Sequence, residues 1–305
     1  MEQQLYIVSL NESNDMGIAS HSSKVKTFPL VDLKPGARLT VDEAWGQPNP
    51  ADANDTVHLV WDLTVDQLTD EKMVFTFKER QFTLNRYWQV LGTGYYGIPN
   101  AYISDSKRFV FYFSAAEPTP KDATRQLQKL YKEMGTNDSK GDYWKNIPLA
   151  KDALHLMKDA ESLRTNPDFK EFCETVVEDE LFFETETPRL LLSFIDLYHV
   201  MAGNSYLWNQ KTYRLLRMTH PEVSEDEKLK LMGETRHLKY DPVQLTEEWE
   251  ENLYEVEKEL DELFKGQDRY MGFCHEYWSA KRVALAKRGI QWRSPQQMNP
   301  RTKFD

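Results

Sequence analysis

Three pairs of residues in this chain have the types and the spacing that helical metal sites use: Asp152 with His155, Asp196 with His199, and Glu234 with His237. An acid and a histidine three apart share one helical face. Two such pairs, joined by a carboxylate from each of two further helices, build the metal centres of helical bundles. Glu174, Glu178, Glu255 or Glu276 would supply those extra carboxylates. The sharpest version is a metal-dependent enzyme whose carboxylate/histidine site uses Asp196, His199, Glu234 and His237. Frequency weighs against it. Seven histidines and 49 acids in 305 residues give about one such pair at this offset by chance, so three is a mild excess. His237 also falls near a predicted helix end, where a single histidine commonly serves as a cap. The expectation is a chain with no cofactor.

Gly92, Gly94 and Gly97 match G-x-G-x-x-G. The dinucleotide-binding form of that motif needs a helix to open at the loop and meet the pyrophosphate. Here Ile98-Pro99-Asn100 and then another predicted strand follow. The strand–loop–strand setting resembles the phosphate-covering loop of protein kinases over roughly twenty residues. The next strand, 108–113, carries no lysine at the matching place, and neither H-R-D nor D-F-G occurs downstream. The glycines are therefore read as a β-turn crowded by aromatics. Tyr95 and Tyr96 at its tip become candidate partner contacts, because exposed tyrosines anchor interfaces well.

Other motifs fall short. His275-Glu276 begins like a zinc-protease helix, but the second histidine would stand at Ser279. Cys274 and His275 are helix neighbours and point apart, so they make no nucleophile–base pair. Cys173 lies in an apolar, acidic helix that raises its pKa and makes it unreactive. The C-terminal quarter gathers Arg282, Lys287, Arg288, Arg293, Arg301 and Lys303 near Trp278 and Trp292. Basic residues interleaved with aromatics suit a nucleic-acid strand. On that alternative Arg282, Arg288, Trp292 and Arg293 make the contact, in a subunit of a nucleic-acid-processing or defence assembly. The plainer reading has these bases facing an acidic helix and the tryptophans in the core.

The totals bound the possibilities. A chain of 305 residues, 40% hydrophobic, buries a substantial core as one large or two ordinary domains. Forty-nine acids against 38 bases leave a net charge of −11, which disfavours broad binding to a phosphate backbone and suits a basic partner. Both cysteines read as buried and reduced. No apolar run reaches the roughly 18 residues of a membrane span, and the N-terminus lacks the apolar core of a secretory signal. The expected location is the cytoplasm, away from membrane.

Positioning these residues falls to two kinds of element. Residues 1–118 read as mostly strand: 5–10, 57–63, 73–77, 81–84, 87–91 and 109–114 are short and rich in β-branched or aromatic residues. Between the first two lies a polar stretch expected to be loop around a short strand or two. Glu117-Pro118-Thr119-Pro120 marks a boundary. Beyond it helices are expected at 123–134, stopping at Gly135, and at 149–163. Asn166-Pro167 and Thr187-Pro188 start two more, running to about 183 and 203. Further helices are expected at 205–218 and after a Ser224/Glu227 capping box. The last helices are predicted as one capped by Thr246 and stopped by Gly266, and one from Asp268 to Arg288 stopped by Gly289, with Trp249, Leu253, Val256, Leu260 and Leu263 lining the first. Tyr270, Phe273, Tyr277, Ala280 and Ala284, widened by Met271, Trp278 and Leu285, line the second.

Charge separates those two arms. Residues 242–264 hold nine acids and one base, and residues 269–289 hold five bases and one acid. A short connection makes them antiparallel neighbours, charge against charge. An irregular tail follows, kept from helix by Pro295 and Pro300. The fold expected is α+β: a β-rich domain over 1–118, then an all-helical domain over 119–305 that ends in an antiparallel helical hairpin and the tail. The function expected is a cytosolic, non-catalytic recognition protein, such as an immunity or inhibitor protein. It would cover a basic protein partner through an acidic surface that includes Glu247, Glu251, Glu255 and Glu262.

Overall fold

The computed structural model describes residues 4–11, 22–23, 26–45, 57–69, 72–77, 79–90, 93–97, 107–113, 119–157, 160–179, 181–202, 206–219, 223–233, 238–267 and 270–304. Sheet comes first and helix after, an α+β arrangement. The strands are β1 (Gln4–Asn11), β2 (Ser22–Ser23), β3 (Lys26–Pro29), β4 (Arg38–Trp45), β5 (Val57–Leu68), β6 (Lys72–Phe77), β7 (Arg80–Val90), β8 (Thr93–Gly97) and β9 (Lys107–Phe113). They pair in the order β2-β4-β5-β6-β7-β8-β9-β1-β3, and neighbours run antiparallel.

Alternation explains the best-specified part of the sheet. Along β5, Leu63 and Val65 are buried while Asp62 and Asp66 turn outward, the period of two that a half-buried strand requires. The outward acids are used: Thr40 Oγ1 donates to Asp62 at 2.8 Å, and Asp66 accepts from Thr76 Oγ1 at 2.7 Å and Gln81 Nε2 at 3.0 Å. Met73, Phe75 and Phe77 continue the buried layer from β6. Two expectations need correcting. The segments 81–84 and 87–90 form one strand, β7, because Asn85 and Arg86 between them keep their ladder partners, Asn85 opposite Lys72 and Gly97 and Arg86 opposite Tyr96. Gly94 and Gly97 belong to strand β8, with Tyr95 opposite Tyr87 and Tyr112, so the tyrosines sit within the sheet rather than at a loop tip, while Gly92 lies outside the described residues.

The helices are α1 (Ala123–Lys140), α2 (Asn146–Leu156), α3 (Ala160–Thr165), α4 (Pro167–Asp179), α5 (Leu181–Glu186), α6 (Pro188–Ala202), α7 (Tyr206–Thr219), α8 (Glu225–Gly233), α9 (Glu247–Leu263), α10 (Phe273–Ala286) and α11 (Pro295–Met298). Helix α1 runs straight through Gly135, a tolerable cost of about 1 kcal/mol for an interior glycine. It stops at Gly141, whose φ of +74° ends the helix cleanly. Asn137 and Asp138, beyond the expected stop at Gly135, belong to this helix and hold the fully buried Asn146 at 2.9 and 2.7 Å. The tail is not wholly irregular. Pro295 sits at the first position of α11, where no amide donor is needed, and Ser294 with Gln297 completes a capping box.

Contacts divide the chain into two compact units. One comprises 1–132, 150–179 and 192–213; the other comprises 133–149, 180–191 and 214–305. The first is cored by the sheet residues named above and by a helical layer that includes Leu127, Phe169, Phe172 and Phe194. The second is cored by Phe183, Leu190, Leu215, Trp249, Leu253, Val256, Leu260, Leu285 and Trp292. Among the described residues no helix is long and apolar enough to cross a membrane.

Candidate partner-binding site

The acidic helix α9 is set up locally. Thr246 Oγ1 accepts from Trp249 N at 3.3 Å, and three glutamates fill the first turn, where the helix dipole favours them. Trp249, Leu253, Val256 and Leu260 form its buried stripe. Leu263, expected in that stripe, is exposed, since the helix ends there. The acids divide by burial, with Glu259 half-buried between the extremes. Glu247, Glu248, Glu251, Glu255, Asp261 and Glu262 face solvent, whereas Glu250 and Glu257 are buried and committed to partners inside the protein.

Glu250, 1% exposed, lies against the start of α6. Its carboxylate accepts from Arg189 N at 2.9 Å and Leu190 N at 3.3 Å, and it faces the Arg189 guanidinium at 3.5 Å. Arg189 also donates to the carbonyls of Leu245 and Thr219. The expected local cap of α6 is not used: the buried hydroxyl of Thr187 finds no hydrogen-bond partner among the described residues. A carboxylate from sixty residues away takes its place.

Glu257 meets helix α10. Lys281, 7% exposed, donates to Glu257 Oε1 at 2.6 Å, and Tyr277 Oη donates to the other oxygen. The Lys281 ammonium lies 5.0 Å from the ring centre of Trp249 and 5.3 Å from that of Trp292. Burial pulls its pKa down, but Glu257 and Glu186 outweigh that and hold it above the ordinary lysine value. Further along, Glu259 takes Lys287 at 2.9 Å and Arg288 at 3.0 Å. Hydrogen bonds from these two bases hold Glu259 below the usual carboxylate range. At the connection Phe264 packs on Phe273 and Tyr277, so contacts climb α10 as they descend α9.

Helix α10 starts at Phe273, five residues later than predicted, because Gly272 adopts φ +88° and cannot belong to it. Tyr270 and Met271, expected on the buried face, are therefore 54% and 84% exposed. Tyr270 borders a cleft of about 510 Å³. Tyr143, Trp144 and Phe182 form one wall, with Tyr143 stacked on Phe182 at 6.3 Å. Tyr270, Phe273, Tyr277 and Trp278 form the other. Asp142, Glu186, Glu257 and Lys281 are the charged groups along it, and Cys274 also lines it, half-buried rather than buried.

The remaining candidates are placed as follows. Glu247, Glu251, Glu255 and Glu262 share α9, all exposed, with Glu255 4.0 Å from Lys258 and Glu262 3.1 Å from Lys265. Arg282 is exposed. Arg288 is held by Glu259, and Arg293 by Asp241 and Glu225 at 2.9 and 2.6 Å. Trp292 is buried against Trp249 at 5.9 Å, its indole donating to Gln244 Oε1 at 3.3 Å. Asp196 and His199 belong to α6 by backbone and Tyr95 and Tyr96 to β8, but the side chains of all four lie outside the described residues, as do Glu234 and His237 entirely. Among the described residues no group of three or more histidines, cysteines and acids converges as a metal site would require.

Sequence reasoning missed Glu250, Glu257, Arg189, Lys281 and the cleft. One signal was available: Lys281 stands four after Tyr277 and three before Ala284, a charged residue inside an apolar stripe. The cleft had none, because its walls come from stretches far apart in sequence, 141–144 and 182–186 against 270–281. Comparison of the chain with protein-family models, with curated proteins and with solved structures gives no match.

Proposed function

We propose that this chain is a non-catalytic recognition protein of the cytosol that covers a basic protein partner through the acidic face of α9. It fits an immunity or inhibitor role. The observation that carries the reading is the division of labour among the α9 acids. Glu250 and Glu257 are consumed in internal pairs, while Glu247, Glu251, Glu255 and Glu262 stand exposed along the helix. An exposed row of carboxylates on a rigid helix offers complementary potential to a basic surface and speeds encounter with it. The finer architecture follows the same reading: a β-rich domain over 1–118, and a helical domain over 119–305 whose antiparallel hairpin of α9 and α10 presents the acids, with the tail behind it. The basic residues Arg288 and Arg293 have carboxylate partners at 3.0 and 2.6 Å, which favours a protein partner over nucleic acid.

The test is titration of the full chain with a nine-residue oligoarginine over a salt series. Affinity for the wild type should fall steeply as salt rises. The triple variant Glu247→Lys, Glu251→Lys, Glu255→Lys should bind at least about tenfold more weakly with a shallower salt slope. An unchanged slope in that variant rejects the reading.

A further inference from the structure

The cleft beside α10 differs from the acidic face in kind: it is concave, its walls are aromatic rings, and its charge is partly buried. We infer that it receives one arginine side chain of the basic partner, an inference that rests on the recognition reading above and gives it a specific anchor.

Charge comes first. Asp142, Glu186 and Glu257 line the cleft against Lys281. Lys145 stands beside Asp142 at 2.9 Å and is also answered by Asp261 at 3.7 Å. These four acids and two lysines sum to a charge of −2, and Glu276, bonded to the Tyr270 hydroxyl, adds a further negative charge at the edge. The Lys281 charge is already matched, because its ammonium is bound to Glu257 and lies 5.0 and 5.3 Å from the ring centres of Trp249 and Trp292, which are not cleft residues.

Ring chemistry comes second. A cation over an aromatic face is attracted by the ring quadrupole, and the attraction grows when water is excluded. The protein already uses this contact here, with Lys145 5.2 Å from the ring centre of Trp144. Tyr143, stacked on Phe182, and Tyr270, edge-on to Phe273, both line the cleft, and a flat guanidinium stacks on such ring faces where a compact ammonium does not. A volume of about 510 Å³ holds an arginine side chain with part of its backbone. Tyr143 and Tyr270, at 45% and 54% exposure, are accessible to it at the rim.

The experiment uses the intact chain and a five-residue peptide, Gly-Ser-Arg-Ser-Gly with blocked ends, against the same peptide carrying citrulline, the neutral isostere of arginine. Trp144 and Trp278 make tryptophan fluorescence the readout. The arginine peptide should give a saturable change, and the citrulline peptide should bind at least about tenfold more weakly. Tyr143→Ala and Tyr270→Ala, both at exposed rings and so compatible with folding, should each weaken the arginine peptide about three- to tenfold. The α9 triple reversal should leave this peptide's affinity within about twofold while reducing oligoarginine binding. Equal binding of the two peptides, full affinity in both tyrosine variants, or no saturable response overturns the inference. If the cleft variants bind normally and the α9 variant alone loses oligoarginine, the cleft proposal falls and the acidic-face reading stands.

Discussion

Glu250 shows how one buried carboxylate can organise a protein interior. It satisfies two amide donors at the start of α6 and faces a guanidinium that is itself buried among carbonyls. Glu250→Ala strands that guanidinium in a low-dielectric site. The expected loss is about 3–5 kcal/mol of unfolding free energy, read from urea denaturation of the full chain. Replacing Thr187 by alanine should cost far less, since its hydroxyl makes no hydrogen bond among the described residues. A result in which Thr187→Ala is the more damaging change would mean that the local cap matters after all. Lys281 follows the opposite sign of titration. Its pKa is raised in the folded protein by Glu257 and Glu186 against burial, so its contribution is complete below the unfolded lysine value and is lost as pH climbs through the folded one. Stability should therefore decline above about pH 10.4. The double variant Lys281→Met, Glu257→Gln should lack that component of the decline, measured as thermal midpoint against pH.

At the scale of elements, several side-chain caps at helix starts were legible, and glycine stops were less so. Asn166, Thr246 and Ser224 act where their types say they should, each accepting from an amide two or three residues on, because a cap is decided within one turn. Gly135 misled because a glycine inside a helix costs little once tertiary contacts hold the flanks. The start of α10 misled for the opposite reason: Gly272 takes a left-handed conformation that composition does not announce. The end of the same helix is better marked. Gly289 has φ +80° with open space around it, and Ile290 N returns to Leu285 O at 3.1 Å with its side chain buried. Gly289→Ala should lower stability by about 1 kcal/mol through backbone strain alone, checked by chemical denaturation. The hairpin clasp adds a pH signature. Glu259 titrates below its ordinary range because Lys287 and Arg288 bond to it, so its contribution is present above the unfolded carboxylate value and fades as pH falls through the folded one. Glu259→Gln should flatten the acid limb of the stability profile below about pH 4.3, and only slightly, since the pair is half-exposed.

Across the whole molecule, charge was legible in amount but not in arrangement. The excess of acids could be counted from composition, yet nothing in spacing alone separated the committed carboxylates of α9 from the displayed ones. Burial made that separation: Glu250 and Glu257 turn inward beside Trp249 and Val256, and Glu247, Glu251 and Glu255 do not. The cleft was illegible for a related reason, since residues 141–144, 182–186 and 270–281 meet only through the fold. Two kinds of attraction for a basic partner must therefore be told apart, one from net charge everywhere and one from a located face. A matched pair of variants does this. Glu247→Lys, Glu251→Lys, Glu255→Lys changes the exposed row on α9, while Glu133→Lys, Glu171→Lys, Glu178→Lys changes exposed acids on α1 and α4. Each triple shifts the net charge of −11 by the same six units toward zero. Long-range steering acts mainly on the association rate and is screened by salt, so both triples should slow association with oligoarginine comparably. Contact at the face acts on dissociation, so the α9 triple alone should release the peptide faster, by about tenfold at physiological ionic strength. Equal dissociation rates for the two triples, measured by stopped-flow displacement, would reduce the acidic face to one part of a diffuse field.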